Sequence, residues 1–125
     1  MVKNLWGDLS SLAEVRSPKM ILQEQASLLT DATKGVLVGV VALYARSPDF
    51  HYTLDIIVPA LNNYKYQIFE VFHPLAIYPI RLSCERPRVD EELGSEEDFE
   101  KAVERVLSSN EVRDVLSMLK SQVAI

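Results

Sequence analysis

Apolar positions recur every three to four residues at both ends of the chain and alternate with polar ones in the middle. Leu5, Leu9 and Leu12, with Trp6 beside them, predict a short helix over 4–15 that Asp8 or Ser10 would cap. Ser17-Pro18 is a clearer start signal. A serine hydroxyl accepts from the free amides of a first helical turn, and proline suits the first helical position because it has no amide hydrogen to satisfy. Ile21, Leu22, Gln25, Leu28, Leu29 and Ala32 then form one stripe. Lys34-Gly35 closes that helix, with Gly35 free to take the left-handed conformation.

The middle of the chain changes period. Val36 to Arg46 is rich in β-branched residues and apolar on both alternating faces. That suits a strand buried on both sides, or one covered by a partner or a neighbouring subunit. Arg46-Ser47-Pro48-Asp49 carries turn chemistry. Phe50 to Val58 alternates as a second strand, and Pro59 to Asn63 connects it onward, the Asn pair tolerating positive φ. Tyr64 to Phe72 reads as a third strand ended by His73-Pro74, and Tyr78 to Cys84 as a fourth. Connections this short exclude parallel crossovers, so the strands form an antiparallel meander.

Symmetric closure of the last two hairpins sorts the side chains into rows. One face collects Phe50, Leu54, Ile56, Tyr66, Ile68, Phe72, Tyr78, Leu82 and Cys84 as a core. The other collects His51, Thr53, Asp55, Ile57, Gln67, Phe69, Val71, Arg81 and Ser83. Helical spacing returns after a charged loop over Val89 to Gly94. Ser95 with Asp98 resembles a capping box, Phe99, Ala102, Val103, Val106 and Leu107 form an inward stripe, and Val112, Val115, Leu116 and Leu119 form another after Ser109. The expectation is an α+β fold in a single domain over 1–125. It consists of a four-stranded antiparallel meander with N-terminal and C-terminal helices packed on one face, in the order α-α-β-β-β-β-α-α.

Composition narrows the function classes. A chain of 125 residues buries enough surface to hold a core without disulfide or metal. The single cysteine excludes an internal disulfide and points to a reducing cytoplasm, and the N-terminus lacks the long apolar core of a signal peptide. The longest apolar run, Val36 to Ala45, is too short to span a bilayer. The net charge of −5 sits wholly in the last third, where residues 85–125 hold six basic and eleven acidic groups. Without a basic stripe, nucleic acid and anionic membrane are excluded as partners.

Several side chains invite chemistry. His51 and His73 fall on the same face of neighbouring strands in this register, a candidate metal pair with Asp49 near, although no short-spaced ligand pair supports it. Cys84 falls among core residues, where it acts as a small apolar group. Glu70 breaks the alternation by landing on the core face. It is either satisfied there, turned outward by a bulge, or set at the base of a pocket with Tyr52 and Tyr66. No phosphate loop, nucleophile elbow, Cys-x-x-Cys or His-Glu-x-x-His occurs, and no cofactor is implied.

The face with Ile57, Phe69, Val71 and Arg81 has no assigned cover and is the candidate interface. The expected function is that of a small soluble, non-enzymatic binding protein acting through protein–protein contact, by self-association as a homodimer and/or with a regulatory partner. The alternative is a small-molecule-binding or metal-assisted enzyme with a pocket between sheet and helices.

Overall fold

The computed structural model describes residues 2–46 and 48–124. Among the described residues three α-helices, α1 (Pro18–Ala32), α2 (Glu96–Leu107) and α3 (Asn110–Val123), accompany five strands, β1 (Val38–Arg46), β2 (Asp49–Val58), β3 (Tyr64–His73), β4 (Ile80–Cys84) and β5 (Val89–Leu93). The strands form one antiparallel sheet in the order β1-β2-β3-β4-β5, a plain meander within the α+β class. Of the turn at Arg46 to Asp49, Ser47 lies outside the described residues.

Helix ends form where the side chains dictate. Ser17, Ser95 and Ser109 each accept a backbone amide from the first turn of the helix that follows. At the end of α1, Lys34 and Gly35 both take positive φ, and Asn62 and Asn63 do so between β2 and β3. Ile21, Leu22 and Ala26 of α1, Phe99, Val103 and Val106 of α2, and Val112 and Leu119 of α3 join one buried cluster. Its sheet members are Tyr52, Leu54, Ile56, Val58, Ile68, Phe69, Val71, Ile80, Leu82, Cys84 and Leu93. The helices therefore cover one face of the sheet and leave the other open.

The structure corrects three expectations. The helix expected over 4–15 is an extended arm with a single 3-10 turn at Leu9–Ser11. Asp8 accepts both the amide and the hydroxyl of Ser10, Asn4 bonds the Trp6 amide and the Gly7 carbonyl, and Gly7 sits at φ 78°. These local side-chain bonds compete with helix and win. The charged loop expected over Val89 to Gly94 contains a fifth strand, which puts Val89 and Leu93 on the covered face and Asp90 and Glu92 on the open one.

The third correction resets the faces. β3 carries a bulge: Leu54 pairs with Phe69, yet Asp55 pairs with Gln67, leaving Ile68 as an extra residue. Ile68 and Phe69 both lie in the core opposite Leu54, and every residue after them changes sides. Phe69 and Val71, expected on the open face, are 1% and 0% exposed beneath the helices. Glu70 and Phe72 move to the open face, and Glu70 keeps 36% of its side chain exposed. The outward bulge was one of the three readings of Glu70.

Candidate functional site

Two features remain without cover once the helices are in place: the open face of the sheet and the outer edge of β1. By register, the open face carries Val38, Val40, Ala42 and Tyr44 from β1, and His51, Thr53, Asp55 and Ile57 from β2. Lys65, Gln67, Glu70 and Phe72 follow from β3, then Arg81 and Ser83 from β4 and Asp90 and Glu92 from β5. The β1 side of that face is apolar. The β4–β5 side is charged, with Arg81 forking onto both carboxylate oxygens of Asp90 at 3.1 Å.

β1 is the terminal strand, so its backbone groups facing away from β2 have no strand partner among the described residues. α1 covers the beginning of that edge. The Thr33 hydroxyl accepts the Leu37 amide at 3.1 Å and donates to the Leu37 carbonyl at 2.9 Å, and the Thr30 hydroxyl accepts the Gly39 amide at 3.0 Å. Gly39 permits this approach, because a Cβ there would lie 2.5 to 2.9 Å from Ala26 backbone atoms. Backbone groups alternate in direction along a strand, so those of Val41, Leu43 and Ala45 point outward as those of Leu37 and Gly39 do. Past Gly39 the edge is open. Leu43, on the helix side, is 46% exposed, and Tyr44, on the open face, is 44% exposed.

The centre of the open face holds a buried acid. Asp55 is 2% exposed, with Oδ2 3.2 Å from the Thr53 hydroxyl and 3.9 Å from Lys65 Nζ, while Oδ1 has no hydrogen-bond partner among the described residues. Burial pushes its carboxyl above the ordinary aspartate value, against the opposing pull of Thr53 and Lys65.

The candidate residues from sequence separate. His51 lies on the open face, its ring stacked 4.2 Å from Phe72 and its Nε2 3.9 Å from Glu70. His73 lies on the covered face between Phe50 and Tyr52, with Nδ1 donating to the Pro74 carbonyl at 2.7 Å. The bulge thus puts the two histidines on opposite faces, which corrects the metal-pair expectation. Among the described residues, no group of three His, Cys, Asp or Glu side chains is placed to hold a metal. Of the interface candidates, Ile57 and Arg81 stay on the open face, whereas Phe69 and Val71 are core.

Of the pocket candidates, Glu70 and Tyr66 line a cleft of about 510 Å3 where β4 leaves β3, together with Ser83, Glu85 and Arg86. Tyr52 is buried on the covered face, apart from that cleft. Burial pushes the Tyr52 hydroxyl and the Cys84 thiol up, and the thiol donates to the Ile68 carbonyl at the bulge, which leaves it a poor nucleophile. The edge residues Leu43 and Tyr44 were not singled out in the sequence. Their signal was the uncharged run from Val36 to Ala45, whose two apolar faces exceed what one helix layer covers.

No helix among the described residues is long and apolar enough to cross a membrane. Compared with protein-family models, with curated proteins and with solved structures, the chain finds no match.

Proposed function

We propose that this chain is a binding module that works through protein–protein contact, with β1 and the apolar strip beside it as the contact surface. The observation that carries the reading is the open outer edge of β1 from Val41 onward, bordered by exposed Leu43 and Tyr44. An uncharged edge strand with free backbone donors and acceptors is a template for another polypeptide, and main-chain bonding supplies the affinity. Val38, Val40, Ala42 and Ile57 extend the apolar surface onto the open face. A pocket-based activity has less support, because Glu70 and Tyr52, expected to share a pocket, lie on opposite faces of the sheet.

The test is a photo-reactive phenylalanine analogue at position 44, compared with the same analogue at position 92 on the far side of the open face. The expected result is a covalent adduct with a polypeptide from position 44 at several times the yield from position 92. Equal yields, or no polypeptide adduct from position 44, would contradict the reading.

A further inference from the structure

We infer that the polypeptide received by β1 is the β1 strand of a second copy, paired antiparallel about a two-fold axis at Leu43. This rests on the contact reading above and names its partner. Three observations select a second copy.

The first is length. Thr33 and Thr30 occupy the outward groups of Leu37 and Gly39, so the free outward residues of β1 are Val41, Leu43 and Ala45, which are symmetric about Leu43. An antiparallel strand matching that short window is the window itself, turned by the two-fold. Leu43 then faces the partner's Leu43, and Val41 faces the partner's Ala45 on each side of the axis. About six main-chain hydrogen bonds form, two at each of three hydrogen-bonded pairs.

The second observation is side-chain fit. In this register the two half-exposed Leu43 side chains meet across the axis on the helix side and shield each other from water. On the open face each Tyr44 lies opposite the partner's Ala42, large against small twice over. Tyr44 already leans on His51, with ring centroids 5.4 Å apart, so its position is supported from within its own copy.

The third observation is charge. Val38 to Ala45 contains no ionisable group except the Tyr44 phenol, so self-pairing brings no like charges together. The flank of α1 that sends Thr30 to this edge also carries Ser27 and Gln23, three and seven residues back, both exposed and uncharged. The other free edge, β5, is excluded as a partner for itself or for β1. It carries Asp90, Glu91 and Glu92 in sequence, and a strand docking there would strip water from those carboxylates.

The experiment uses the full chain and three samples: wild type, Leu43→Lys and Leu43→Glu. Leu43 is half-exposed, so both variants keep the fold, which circular dichroism verifies. Light scattering across a concentration series should show wild type rising from the mass of one chain to that of two. Each variant alone should stay at one chain, its dissociation constant raised about a hundredfold or more because two like charges face each other. An equimolar mixture of the two variants should regain the mass of two chains, because Lys then faces Glu.

A wild type that stays at one chain throughout, a Leu43→Lys sample that still doubles, or a mixture that stays at one chain would each overturn the inference. If wild type stays at one chain while position 44 still cross-links to a different polypeptide, the contact reading stands and the second copy alone fails.

Discussion

The sheet has two free edges, and they are built oppositely. β5 is five residues long with Asp90, Glu91 and Glu92 at its centre, and two of those carboxylates are engaged by Arg81 and Arg105. A strand docking there would have to strip water from charged groups, so this edge protects itself. β1 is nine residues long and uncharged up to Arg46. Its protection comes from α1, which supplies two threonine hydroxyls and stops at Gly39. What distinguishes the edges is therefore the source of protection. One edge carries its own, and the other borrows from a neighbouring helix that covers only its first part.

The strongest way to break the comparison is to push α1 off β1. Gly39→Val would place its Cβ within 2.5 to 2.9 Å of the Ala26 backbone, which cannot rotate away as a side chain would. The expected loss is about 3 kcal/mol of folding stability in urea denaturation. A loss below about 1 kcal/mol would mean that the helix rides loosely on the strand, and that Thr30 does not guard the edge.

A gentler version is Thr30→Val, which keeps the volume and removes the acceptor for the Gly39 amide. It should cost about 1 kcal/mol. Gly39 lies outside the Val41–Ala45 window of the proposed pairing, so sedimentation should show association unchanged from wild type. Association that changes with this substitution would mean that contact reaches beyond that window.

Acidification separates the two sides of the sheet by sign. Arg81 holds Asp90 and Arg105 holds Glu91 below their ordinary carboxylate values. Those pairs contribute above the ordinary values of 3.8 and 4.5, and their contribution is lost as pH falls through the lower folded-state values. Asp55, next to β1, behaves oppositely. Burial raises its carboxyl, so its charged form costs stability at neutral pH, and the cost is relieved as pH falls through the raised value. Asp55→Asn should therefore gain about 1 kcal/mol at neutral pH, with the gap closing on acidification. A less stable variant at neutral pH would mean that Lys65 and Thr53 outweigh the loss of water.

The smallest effect is expected at β5 itself. Asp90→Asn leaves an exposed Arg81 in solvent, and a screened surface pair contributes too little for denaturation to resolve. A marked stability loss would show β5 to be more than a guarded edge.

Much of this molecule was legible in the residues. Ser17-Pro18, Ser95 and Ser109 announce their helices because capping is local chemistry. The short connections fix an antiparallel meander because no crossover fits within them. β5 was missed because Val89-Asp-Glu-Glu-Leu93 carries three charges in five residues, and only Val89 and Leu93 of its covered side are apolar. The bulge entered only as one reading of Glu70, because Ile68-Phe69 contains neither glycine nor proline to mark it. Its one signal was Glu70, whose placement in a core was the inconsistency that the bulge resolves. The site suffered most from that slip: one extra residue moved Phe69 and Val71 inward and separated His51 from His73. The apolar excess of β1, in contrast, was visible from the start, because no shift in β3 register alters it.

The most direct test is amide hydrogen exchange at Val41 and Leu43, followed by NMR across protein concentrations. Their amides face outward without a partner among the described residues of the single chain, while the Gly39 amide is held by Thr30. Val41 and Leu43 should exchange fast in dilute solution and become strongly protected as concentration rises, with the outward amides of β5 unchanged. Exchange at Val41 and Leu43 that stays fast at every concentration, or protection that grows equally on β5, would contradict the assignment of β1 as the contact edge.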